Sequence, residues 1–114
     1  MPKYAILIFE RELPNGAADI PPEVLAEHEK VPGRVAELGG KELGGLALEP
    51  TWTGTSIRGD VVTDGPFIET KEALAGVSIV EARDLDHAIE LAKLIPIMDG
   101  GVEVRPLFDF QVTP

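Results

Sequence analysis

The order in which hydrophobic patterning changes along the chain limits the fold more than any other feature. The run KYAILIF, residues 3–9, is continuously apolar with β-branched and aromatic content, and it reads as a strand buried on both faces. The loop LPNGAADIPP follows, and Pro22 with Glu23 then suits the first turn of a helix predicted from about Pro22 to Leu38, stopped by Gly39 and Gly40. Pro32-Gly33 should kink that helix or split it in two. KELGGLALEP and TWTGTSIRG look like two strand segments around Pro50, DVVT begins another, and LAGVSIVE, residues 74–81, is a strand. DLDHAIELAKLIP reads as a helix with Asp84 as N-cap, an apolar stripe of Ala88, Leu91, Ala92 and Ile95, and Pro96 as its stop. GVEVRPLF closes the series as a last strand.

That succession is a β-α-β-β-α-β plan with an elaborated central hairpin, so the expected class is α+β and ferredoxin-like. A chain of 114 residues is the size of one ordinary domain, residues 1–114, and can build a core without staples. It has no cysteine, which excludes disulfides, thiolate nucleophiles and Cys-based metal sites. A net charge of −10 has the wrong sign for binding a phosphate backbone, so no nucleic-acid partner is expected. The apolar run before Glu10 is too short for a signal-peptide core or a membrane span, so no membrane partner and a cytoplasmic location are expected.

Candidate chemistry gathers around TDGPFIETKEA and two other places. Asp64-Gly65-Pro66-Phe67 is first a chain reversal, because Gly65 tolerates positive φ and Pro66 fixes its own. Asp64, Glu69, Lys71 and Glu72 then form either the polar wall of a pocket or a brace, with Asp64 accepting backbone N–H groups of its own turn and Lys71 paired to an acid. Phe67 is expected to anchor the turn by burial. Arg58 in SIRGD and Arg105 in VEVRPL sit in strand contexts, where a long polar side chain either points to water or lines a cavity; an inward arginine would meet Glu69, Glu72 or an anionic ligand. His28 falls in the series Val24, His28, Val31, Val35, Leu38, which the helical period assigns to the buried face, so it is either a satisfied core imidazole or a general base beside a cavity. His87 is expected at the surface. The two histidines and scattered carboxylates show no metal-ligand spacing, and the glycine pairs form no phosphate cradle, so neither metal nor cofactor is expected.

The stretches TDGPFIETKEALAG, EARDLDHAIELAKLIP, LALEPT, SIR and GGVEVRPLF together resemble the YCII-related family, in particular its subgroup marked by the Asp-Gly-Pro-Phe motif. The resemblance implies a ferredoxin-like fold paired through its sheets into a homodimer, a dimeric α+β barrel. It also implies a His–Asp pair, with the His eleven residues before the glycine stop of the first helix and the Asp before the proline ending the second. His28 fits this pattern, but Ile95 stands where the Asp would be. Asp64 is then the best replacement carboxylate. The resulting expectation is a small polar or anionic metabolite held in the barrel cavity. One version is cofactor-independent acid–base chemistry with His28 as base, Asp64 as its orienter and Arg58 or Arg105 as anion clamp. The alternative is a non-catalytic sensor or accessory protein in a regulatory setting.

Overall fold

A computed structural model of the chain describes residues 1–113. Its strands and helices are β1 (Lys3–Glu10), α1 (Pro22–Glu29), α2 (Val31–Glu37), β2 (Lys41–Ala47), β3 (Thr55–Arg58), β4 (Val61–Asp64), β5 (Ala73–Glu81), α3 (Leu85–Ala92) and β6 (Gly100–Pro106). Four strands form an antiparallel sheet in the order β2-β5-β1-β6, and β3 with β4 makes a separate two-stranded hairpin. The class is α+β, and the strand order is compatible with a ferredoxin-like fold.

Strand alternation divides the sheet into two faces. Tyr4, Ile6 and Val80 point to one side and join Val31 and Val35 of α2, Ala88, Leu91 and Ala92 of α3, and Ile95 in the hydrophobic core. The register places Ala5, Leu7 and Phe9 of β1, Val77 and Ile79 of β5, and Leu46 of β2 on the opposite side. Bulges lie between Ile8 and Phe9 and between Glu42 and Gly44, where the pairing shifts by one residue.

The first helical region divides as anticipated, though not at Pro32-Gly33: α1 ends at Glu29, and Pro32 lies in the first turn of α2. Proline has no N–H to donate to the His28 carbonyl, so the ladder of α1 cannot pass through it. α2 ends in a paired cap, with Gly39 N–H donating to the Ala36 carbonyl and Gly40 N–H to the Val35 carbonyl, both at 3.0 Å. Gly39 adopts φ +83°, and a Cβ on Gly40 would stand 2.5 Å from Leu91 Cδ1. The glycine pair therefore both turns the chain and lets α3 close on it.

α3 starts where its sequence signals place it, with Asp84 Oδ1 accepting the His87 N–H at 2.8 Å. The placement of His87 at the surface is overturned: the residue is 2% exposed. Arg83 N–H donates to its Nδ1 at 3.0 Å, and its Nε2 lies 2.8 Å from the Leu38 carbonyl. A ring accepting at Nδ1 carries its proton on Nε2, so His87 is a neutral linker between the end of α2 and the start of α3. Its position should have shown this, because His87 precedes Leu91 by one helical repeat and shares its face.

Candidate functional site: a cavity beside the first helix

Unlike α2 and α3, α1 buries none of its residues. Val24 and Leu25 face a cavity of about 360 Å³ instead of the core. Its walls come from Ile8 of β1, Gly76 of β5, Leu48 after β2, Met98 before β6, and His28 at the end of α1. The volume falls at the lower end of the range of ligand sites, about 300–1,000 Å³. The far wall is held by backbone-directed carboxylates. Glu10 accepts the Met98 and Asp99 N–H groups at 3.0 and 2.7 Å, and both oxygens of Glu12 accept the Thr51 N–H at 3.1 and 3.2 Å.

His28 is exposed, not buried as its periodicity suggested, and it lines this cavity. Among the described residues its ring has no hydrogen-bond or ion-pair partner. The period failed because α1 and α2 are separate helices: Val31 and Val35 go into the core with α2, while α1 turns its apolar side to the cavity.

Asp64 lies elsewhere. It lines a second, open concavity of about 580 Å³ together with Arg11, Glu12, Thr51, Trp52, Gly65, Pro66, Glu69, Thr70 and Lys71. The structure thus brings Asp64, Glu69 and Lys71 together, and leaves Glu72, Arg58 and Arg105 out of both concavities. Arg58 instead stacks its guanidinium over the Phe67 ring, 4.2 Å from the centroid. Arg105 pairs with Glu103 along exposed β6.

Two details of the expected brace change. Asp64 makes no side-chain hydrogen bond among the described residues; the turn is tied instead by Ser56 Oγ donating to the Gly65 carbonyl at 2.7 Å and by Gly65 N–H donating to the Gly54 carbonyl at 2.8 Å. Lys71 makes no ion pair among the described residues, and Phe67 is 53% exposed, so Arg58 rather than burial holds it. Asp64 and Lys71 thus have no side-chain partner among the described residues.

One further polar pair sits on the core-facing side of the sheet. Glu42 Oε2 and Ser78 Oγ are buried without a hydrogen bond of good geometry. Burial pushes the Glu42 carboxyl above its ordinary range, and the neighbouring Ser78 hydroxyl opposes this without cancelling it.

The second concavity also holds Arg11, Glu12 and Trp52, which are not among the residues expected from the sequence. The signal for Trp52 was available: it is the chain's one tryptophan, set between Pro50 and Gly54, and 55% exposed. Arg11 and Glu12 gave no comparable sign, since their place beside the turn depends on a contact across 39 residues, from Glu12 to Thr51.

The family model of the YCII-related domain matches residues 6–111, so the chain belongs to the YCII-related domain family. It is also similar to an uncharacterised protein of Rhizobium meliloti (strain 1021), with 32% identity over 91% of this chain and 90% of the relative. Among the described residues, no helix is long and apolar enough to cross a membrane.

Proposed function

We propose that this protein is a homodimeric small-molecule-binding protein whose ligand occupies the cavity beside α1. The observation that carries this reading is the cavity's place: a helix with no buried residue stands over a sheet end, and its apolar side chains line an opening of ligand size. Apolar walls favour a ligand with an apolar body over the small polar or anionic metabolite expected from the sequence. The non-catalytic sensor or accessory role is the better supported one. An acid–base mechanism needs the base oriented by a neighbouring acid, whereas His28 and Asp64 line different concavities and Arg58 and Arg105 line neither. The Asp-Gly-Pro-Phe turn, beside the second concavity, supports membership of the subgroup named for that motif.

Pairing is supported by the sheet face opposite the helices, where Leu7, Val77, Ile79 and Leu46 form an apolar strip. A second copy covering that strip gives the dimeric barrel. Sedimentation equilibrium at micromolar concentration should give twice the chain mass, and a monomer would remove the dimer from the proposal. Ligand binding is tested with N-phenylnaphthylamine, whose fluorescence rises in apolar surroundings. The wild type should enhance it and Val24→Trp, which fills the cavity, should not, with the melting temperature retained. Equal enhancement in both proteins would place the dye elsewhere and reject the site.

A further inference from the structure

The two concavities share a boundary. Arg11, Glu12 and Thr51 line both, so the apolar cavity beside α1 adjoins the concavity that holds Trp52, Asp64, Glu69 and Lys71. A molecule extending past this boundary would keep an apolar body against Val24, Leu25 and Ile8 and present its other end to Trp52. Resting on the binding reading above, we infer that the ligand is an amphipathic amine, an alkyl or aryl body carrying a cationic nitrogen.

Charge complementarity selects the cation. Three carboxylates, Glu12, Asp64 and Glu69, face two basic groups in the outer concavity. Arg11 is already matched, its Nε 3.3 Å from Asp99 Oδ2, which leaves Lys71 against Asp64 and Glu69. The surrounding chain carries a net charge of −10, so its field concentrates cations and disfavours anions at this opening. The exposed Trp52 ring adds a face of the kind that holds ammonium groups. The boundary is itself built, because the Glu12 carboxylate clamps the Thr51 N–H one residue before Trp52.

The test uses three probes with one tail, octylamine, octanoate and octanol, titrated calorimetrically below their micelle-forming concentrations. Octylamine should bind the wild type at least about tenfold more tightly than octanoate. The double variant Asp64→Asn, Glu69→Gln should lose that preference to within about twofold while its octanol affinity is unchanged. Val24→Trp should lose all three. Octanoate binding as tightly as octylamine would overturn the amine assignment and leave the binding site standing. A preference for octylamine retained by the double variant would overturn the placement of the amine at the outer concavity. Failure of all three probes to bind the folded wild type would overturn the binding reading together with it.

Discussion

Replacing His87 removes the linker between the two helices that cover the sheet, and the loss can be built from its contacts. The ring is 2% exposed and joins the Arg83 N–H, at 3.0 Å, to the Leu38 carbonyl, at 2.8 Å. Each bond contributes about 1 kcal/mol net, and removing its partner strands a backbone group at a cost of about 1–3 kcal/mol. Deleting a ring of this size from a packed interior adds a cavity, and aromatic truncations cost about 3–5 kcal/mol. Arg83 and Leu38 lie near the surface, so water partly repairs their loss and the total for His87→Ala should be about 4 kcal/mol. That is a large part of the 5–15 kcal/mol about which single domains are stable. His87→Phe keeps the ring's bulk and loses both bonds, so it should fall between, at about 2–3 kcal/mol. Urea denaturation followed by circular dichroism measures both. A His87→Phe protein as stable as wild type would show that packing alone matters and refute the linker; both variants within about 1 kcal/mol of wild type would refute the burial as well.

Three other outcomes follow from the structure. Gly100→Ala would drive a Cβ into the Phe9 carbonyl oxygen, so β6 must shift from β1, and thermal unfolding should show a loss of more than about 2 kcal/mol; an unchanged melting temperature would contradict this packing. The Glu42 carboxyl is raised from an ordinary 4.5 by burial, so its favourable contribution is complete below that value and is lost as pH rises through its folded-state value. Glu42→Gln should therefore gain stability over wild type as pH rises from 4.5 toward neutrality, and a variant that loses ground over that range would reverse the sign. Asp64→Ala should change stability by less than about 0.5 kcal/mol, because Ser56 and the Gly54 carbonyl, not the Asp64 side chain, hold the turn; a loss of about 1–2 kcal/mol in chemical denaturation would restore the brace.

The fold was legible where local signals agree with one another. Pro22, Gly39, Gly40 and Asp84 each bound a helix for a reason visible in the residue itself, and KYAILIF and LAGVSIVE became the two central strands. The two histidines depart from expectation because the apolar period through His28 spans two separate helices, while His87 lies one turn before Leu91 on the buried face of α3. Asp64, Glu69 and Lys71 share a concavity, as their clustering in the sequence suggested, while Glu72 of the same cluster lies outside it. The cavity itself was not, since it arises from what α1 fails to bury, and an amphipathic pattern does not distinguish a helix packed on a core from one standing over an opening. The arginines illustrate the same gap, because the stacking of Arg58 on Phe67 joins β3 to a residue beyond the end of β4, a contact no local signal announces.

The central claim is that the space beside α1 is a ligand site, and methyl NMR tests it most directly. With the isoleucine, leucine and valine methyl groups labelled, titration with octanol should shift the resonances of Ile8, Val24, Leu25 and Leu48 in a saturable manner, leaving those of Val35, Val80 and Leu91 in the core unmoved. Shifts confined to the hairpin residues Ile57, Val61 and Val62, or no saturable shift at all, would contradict it.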